Sequence, residues 1–301
     1  MTHLLETAPS NPGSECARQA RVLLISGDAR ADESLEQALI ELRCSFDRVT
    51  CNEDALRLLR STPYPVVITD RGTGIEEDLG LVEEIREIQP GARIILLTPS
   101  GTTEEIIEAL RQRVFLCKCA PFNAEEIANY VVSAIETADL PVGIEVLSAR
   151  PDWISIRMNS HMLNADRLIA FFNQLRTTMT EQPREELMIA FREILNNAIE
   201  HGAQNDPSKF LQVAAVRTAR TFVFHISDPG EGFRRDAIPH SALSNMPDQP
   251  TRHLEIREET GMRPGGYGLL LASGIVDELI YNEKGNEALL IKYIPDSRIS
   301  S

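Results

Sequence analysis

Three polar side chains of different chemistry, Glu193, Asn197 and His201, follow one another at i, i+4 and i+8. On a helix this stacks a carboxylate, an amide and an imidazole along one stripe, a turn apart. A solvated helix face ordinarily mixes Lys and Glu, whereas asparagine is a poor helix former, so Asn197 in mid-helix needs another reason to be there. Read alone, the stripe fits a solvated face equally well. Two glycine turns add to it: Asp228-Pro229-Gly230-Glu231-Gly232 interrupts an apolar run, and Pro264-Gly265-Gly266-Tyr267-Gly268 opens another. Glycine lets backbone approach a ligand closely, although a lone Gly-x-Gly is more often structural.

The elements that must position these residues follow from periodicity. Leu187, Ile189, Ala190, Ile194, Leu195, Ala198 and Ile199 recur at helical spacing, with Gly202 as the stop and Pro183 suited to the first turn. Before this helix, Trp153–Met158 alternates like a strand, and Asn164–Met179 has helical spacing through Leu168, Ile169, Phe172 and Leu175. After it, Phe210–Val216 and Thr221–Ser227 read as paired strands. The polar stretch Arg234–Arg263, interrupted by Pro239, Pro247 and Pro250, has the length of a lid or binding loop. An apolar helix over Leu269–Val276 and a hairpin of Glu278–Asn282 with Ala288–Ile294, turning at Lys284-Gly285-Asn286, close the pattern.

The first half has a different rhythm. Short apolar runs at Val22–Ile25, Phe46–Val49, Val66–Thr69, Arg93–Leu97 and Val114–Cys117 alternate with amphipathic segments at Glu33–Arg43, Glu53–Arg60, Leu79–Ile88, Thr103–Arg111 and Ala124–Ile135. Alternating buried strands and helices predict an α/β doubly wound, five-stranded parallel sheet. Asn52, Thr102 with Glu105, and Asn123 with Glu126 serve as helix-start signals, the last two spaced as capping boxes. Ligands of such sheets collect at the carboxyl ends of the strands, which here carry Ser26-Gly27-Asp28, Asp70, Thr98 and Lys118.

At 301 residues the chain has room for two domains. Its formal charge of −15 argues against a nucleic acid as main partner and favours basic or neutral protein partners. No run reaches the roughly 18 apolar residues of a membrane span, and Met1–Ala20 lacks the apolar core of a signal peptide. Cys16, Cys44, Cys51, Cys117 and Cys119 form no C-x-x-C pair. An odd number without metal spacing predicts reduced thiols in a cytoplasmic protein. The expected layout is a disordered tail over 1–20, a first domain over 21–137, a linker over 138–152 containing Pro141, Gly143 and Pro151, a second domain over 153–295, and a tail over 296–301.

With these residues in view, 21–137 resembles a response-regulator receiver domain of flavodoxin-like fold. In that family two acids after the first strand hold Mg²⁺, an Asp after the third accepts a phosphoryl group, a Thr or Ser follows the fourth, and a Lys precedes a Pro after the fifth. Asp70 matches the acceptor and Thr98 the switch hydroxyl. Ser26 and Gly27 stand where the acidic pair belongs, Ala120 stands before Pro121, and Lys118 lies two residues early. Phosphoryl transfer to a carboxylate needs a metal to neutralise developing charge, so these departures predict a degenerate receiver that docks or dimerises without using Asp70.

The helix with Glu193 and Asn197, the Asp228-x-Gly230-x-Gly232 turn and the Gly266-x-Gly268 turn resemble, in order, the three sequence boxes of the ATPase fold shared by gyrase, Hsp90 and histidine kinases. That fold, also called the Bergerat type, is a two-layer α/β sandwich, and the resemblance spans about residues 153–295. It implies ATP and Mg²⁺ as ligands, with Asn197 on the metal and Asp228 accepting from the adenine amino group. Gly230, Gly232, Gly266 and Gly268 would admit the nucleotide, and the helix N-terminus at Leu269 would face its phosphates.

Glu193-x-x-x-Asn197-x-x-x-His201-Gly202 after one short helix is similar to the anti-sigma-factor serine/threonine kinases. There the Glu is catalytic base, a Ser or Thr of an anti-sigma-factor antagonist is phosphorylated, and another surface binds a sigma factor. Arg263 becomes a candidate for the terminal phosphate, with a solvated lid residue as the alternative. His201 either joins the site or caps its helix. Two other readings stay open: an ATP-gated module that sequesters a partner without chemistry, and a sensor histidine kinase. The latter lacks a two-helix dimerising module, and His161 falls in a loop. A homodimer is left open.

Overall fold

In the computed structural model of the protein, the described residues are 20–27, 32–70, 72–140, 143–175, 179–232 and 268–294. The chain divides into two compact units between Val142 and Gly143.

The first unit contains β1 (Arg21–Ser26), α1 (Asp32–Glu41), β2 (Ser45–Val49), α2 (Asn52–Ser61), β3 (Val66–Asp70), α3 (Ile75–Ile88), β4 (Arg93–Thr98), α4 (Thr103–Arg111), β5 (Leu116–Cys119) and α5 (Ala124–Glu136). Its five strands form a parallel sheet in the order β2-β1-β3-β4-β5. The doubly wound fold expected from the sequence is therefore present. Val22–Ile25, Val66–Ile68 and Ile94–Leu97 are buried, because helices cover both faces of a parallel sheet and leave its central strands no wet side.

Local signals acted with some differences. Thr102 and Glu105 close a reciprocal capping box on α4. Asn123 caps α5 by accepting from the Glu126 amide; the Glu126 carboxylate is an acceptor for Lys118 Nζ at 2.7 Å. Asn52 is the first helical residue of α2, and Cys51 is its N-cap. The fifth strand begins at Leu116, two residues later than its apolar run, because Val114 and Phe115 are buried in the approach to the strand.

The second unit contains β6 (Ile144–Arg150), β7 (Trp153–Asn159), α6 (Met162–Gln174), α7 (Glu181–Asn197), a π-helical turn (Ala198–Gly202), β8 (Phe210–Arg217), β9 (Thr221–Ser227), α8 (Gly268–Ile275), β10 (Glu278–Tyr281) and β11 (Glu287–Tyr293). Six antiparallel strands line up as β10-β11-β9-β8-β7-β6. The expected linker over 138–152 is corrected here: its residues Ile144–Arg150 are β6, an edge strand paired with β7. A register shift between Val146 and Ser148 breaks its alternation, which hides a strand from pattern reading.

One face of this sheet is the core. Ile154, Ile156, Val213, Ala215, Phe224, Ile226, Ala288 and Leu290 are buried, as are Leu168, Phe172, Phe191 and Leu195 of α6 and α7. Phe191 of α7 stacks on Phe224 of β9 with centroids 4.1 Å apart, and Phe172 meets both edge-on. Each buried aromatic contributes about 2–3 kcal/mol by burial, and each ring pair about 1 kcal/mol more. This lock fixes the rotation of α7 about its axis, and hence the direction of Glu193 and Asn197.

Candidate active site

Phe191, Ile194, Leu195 and Ala198 face the core, which leaves Glu193 and Asn197 half-buried at the border of the buried stripe. Glu193 points at α8: a Cβ built on Gly268, the first residue of that helix, would overlap Glu193 Oε2. A helix N-terminus carries unsatisfied N–H groups and the positive end of its dipole, so a carboxylate is favoured beside it. The far end of α8 is held by Lys292 Nζ, which donates to the Ile275 carbonyl at 2.6 Å and lies 3.8 Å from Glu186 of α7.

After Asn197 the helix widens into a π turn, a form that recurs at functional sites. The extra residue carries His201 out to an exposed position and turns Gly202 inward. A Cβ on Gly202 would overlap the carboxyl carbon of Asp228, and a Cβ on Gly230 would lie 2.6 Å from the Gly202 carbonyl oxygen and 2.8 Å from Asp228 Oδ1. Gly202, Asp228 and Gly230 thus pack with no room for side chains between them. Asp228 Oδ1 accepts from the Gly230 amide at 2.8 Å. Burial pushes the Asp228 carboxyl above the ordinary aspartate range, against the pull of that N–H and of Lys284.

The structure brings Glu193 to Gly268, and Asp228 to Gly202 and Gly230; Asn197 is the last residue of α7, directly before the π turn. Gly232 has φ +80°, a left-handed conformation suited to glycine. Gly266, Arg263 and the expected lid over Arg234–Arg263 lie outside the described residues. His161 is the N-cap of α6, its Nδ1 accepting from the Leu163 amide at 3.2 Å. Gly202, expected as a helix stop, also packs against Asp228, a tertiary contact for which a glycine directly after the Glu–Asn–His stripe is the available signal.

In the first unit, Asp70 ends β3 beside Ser26 of β1, with the Gly27 amide donating to its carbonyl at 3.1 Å. Thr98 is buried, and its hydroxyl serves the carbonyls of Thr73 and Ser100 at 3.2 and 2.9 Å. Lys118 is inside β5 opposite Leu97, its ammonium on Glu126. Asp28 lies outside the described residues. Cys44, Cys51, Cys117 and Cys119 are not in disulfides, and burial pushes the Cys44 and Cys117 thiols up. Among the described residues no helix is long and apolar enough to cross a membrane.

Residues 161–292 match the family model of the histidine kinase-like ATPase domain. The serine-protein kinase RsbW of Oceanobacillus iheyensis is 26% identical over 116 residues, 38% of this chain and 68% of the relative. The transcriptional regulatory protein GlrR of Escherichia coli is 25% identical over 119 residues, 40% of this chain and 27% of the relative, so the chain spans about a quarter of that protein. Among solved structures, a CheY-like response regulator receiver domain protein from Methanospirillum hungatei aligns with 40% of this chain and 96% of its own at 16% identity and TM-score 0.37. A signal receiver domain from Pseudomonas fluorescens aligns with 40% and 98% at 21% identity and TM-score 0.36. The chain joins an N-terminal α/β unit with a five-stranded parallel sheet to a C-terminal unit in which residues 161–292 match the histidine kinase-like ATPase domain model.

Proposed function

We propose that the protein is an ATP-binding signalling regulator whose C-terminal domain is a serine/threonine protein kinase of the anti-sigma-factor type. The observation that carries this reading is a pair of close glycine contacts: Gly202 and Gly230 on the Asp228 carboxyl, and Gly268, which starts α8, on Glu193. Both are places where a Cβ would fill the space, and they sit at two ends of one helix segment with Asn197 between them. The relative named as a serine-protein kinase, 26% identical, supports the same direction.

In this reading Asp228 accepts from the adenine amino group, and Gly230, Gly232, Gly266 and Gly268 admit the nucleotide. The α8 N-terminus faces the phosphates, with Arg263 and His201 as further contacts. Asn197 would hold Mg²⁺ through its neutral amide oxygen, and that ion would supply charge neutralisation at the transferring group. Glu193 takes the proton from the attacking hydroxyl as its oxygen bonds to the γ-phosphorus and the bond to the ADP oxygen breaks. The partner is a protein: an anti-sigma-factor antagonist as acceptor, or a sigma factor held on another surface.

The receiver-like unit is proposed as a docking or dimerising module that does not use Asp70. The bonds of Thr98 to the Thr73 and Ser100 carbonyls and of Lys118 to Glu126 support this. The test is ATP turnover with partners captured from the native cytosol. A Ser or Thr phosphate on the partner, lost in Glu193→Gln, is expected; ATP binding with no transfer, and regulation intact in Glu193→Gln, would leave only a nucleotide-gated binding module.

A further inference from the structure

The hairpin turn between β10 and β11 is built against the Asp228 loop. Asn286 holds the Asp228 peptide on both sides: the Asp228 amide donates to the Asn286 carbonyl at 3.0 Å, and Asn286 Nδ2 donates to the Asp228 carbonyl at 3.0 Å. Asn286 Oδ1 in turn accepts from Asn282 Nδ2 at 3.0 Å. Asn282 Oδ1 ties the rest of the turn by accepting from the amides of Gly285, Asn286 and Glu287 at 2.7, 3.1 and 3.3 Å. Lys284 Nζ reaches across to the Gly230 carbonyl at 2.9 Å. A Cβ on Gly232 would run into the Lys284 carbonyl, so the two turns meet backbone to backbone.

A hairpin needs none of the cross-loop bonds to close. Asn282 alone already satisfies its turn, yet the Asn286 side chain spends its donor on a loop 58 residues earlier in the chain. The bonded atoms belong to Asp228 and Gly230, the residues whose carboxylate and amide form the cradle. A carboxylate reads a base edge only when held within about 0.5 Å of its productive position. The chain Asn282–Asn286–Asp228 supplies that restraint from a strand pair fixed in the sheet.

We propose that Asn286, supported by Lys284, is a positioning residue that sets the base specificity of the nucleotide site by aiming the Asp228 carboxylate. This rests on the ATP-binding reading above. It assigns to the β10–β11 turn the discrimination between a base that presents an amino group and one that presents a carbonyl at the same position. Adenine gives Asp228 a donor; hypoxanthine gives it a lone pair, which a carboxylate repels. A hydrogen bond to a charged group separates two such ligands by about 10- to 100-fold in affinity.

The experiment titrates the full chain with ADP and with IDP, for wild type, Asn286→Ala and Lys284→Met, with thermal melts to check folding. Wild type is expected to favour ADP by at least about tenfold. Asn286→Ala is expected to lose ADP affinity while IDP affinity stays, so that the ratio falls towards one; Lys284→Met, at an exposed position, lowers the ratio about threefold and serves if Asn286→Ala does not fold. An unchanged ADP/IDP ratio in the folded variants, with or without a uniform loss of affinity, would overturn the assignment while leaving ATP binding intact. A wild type that binds neither nucleotide would overturn the ATP-binding reading itself and this assignment with it.

Discussion

The two units place polar residues at the ends of strands and helices in opposite ways. At the edge of the parallel sheet, Thr98 donates to neighbouring backbone carbonyls and Lys118 sits on Glu126, so groups that could meet at Asp70 are each held by a local partner. In the second unit the recurring feature is missing volume: Gly202, Gly230 and Gly268 stand where any Cβ would strike Asp228 or Glu193. Local satisfaction leaves little free energy for a ligand to gain, because each bond it offers replaces one already made. The glycines let backbone close directly on a half-buried carboxylate, whose Oδ1 accepts from the Gly230 amide.

This contrast can be broken at its strongest point first. Glu193→Gln is expected to lower phosphoryl transfer by about 10²- to 10⁴-fold, the usual contribution of a general base, while ATP affinity is retained; parallel loss of binding and transfer would move Glu193 from chemistry to positioning. Gly202→Ala comes next. Its Cβ must displace the Asp228 carboxyl, so a destabilisation of about 1–3 kcal/mol in urea and a fall in ATP affinity of about 30-fold are expected. Unaltered affinity would mean that the cradle is not the nucleotide site.

Asp228→Asn sharpens the comparison through stability. The fold raises the Asp228 pKa above its unfolded value, so the unfolded chain releases this proton first as pH rises. Its favourable contribution is complete only below the unfolded pKa and is lost as pH rises through the folded one, which leaves the ionised form weighing against folding at neutral pH. The ligand-free Asn variant should therefore melt higher than wild type at pH 7, with the gap closing on acidification, even as ATP affinity drops. Differential scanning calorimetry across pH reads both signs. The smallest effect is expected at Asp70: Asp70→Asn should change ATP turnover less than about twofold, and acetyl phosphate with Mg²⁺ should give wild type no mass shift. An acid-stable shift absent from Asp70→Asn would make the receiver a working one.

Much of this was legible in the residues. Runs such as Ile94–Leu97 are buried strands because nothing polar interrupts them, and α7 announces itself through its apolar spacing. The Glu193–Asn197 stripe became legible through its mid-helix asparagine only together with the two glycine turns, since alone it fits a solvated face equally well. β6 was not, since a register shift between Val146 and Ser148 and flanking prolines disguise it as a connector. Nor was the role of Gly202 or Asn286: both act on Asp228 across the fold, and contacts between residues distant in sequence leave no period to read. Lys118 shows a third kind of difficulty. Its displacement from Pro121 was plain, but that Glu126 would hold it depended on the start of β5 and on the geometry of α5.

The most direct test is an equilibrium titration of the full chain with ATP in the presence of Mg²⁺, comparing wild type, Asp228→Asn and Asp70→Asn. One ATP per chain, weakened by at least about tenfold in Asp228→Asn and unmoved in Asp70→Asn, is the predicted result. No saturable binding by wild type, or equal affinity in Asp228→Asn, would contradict it.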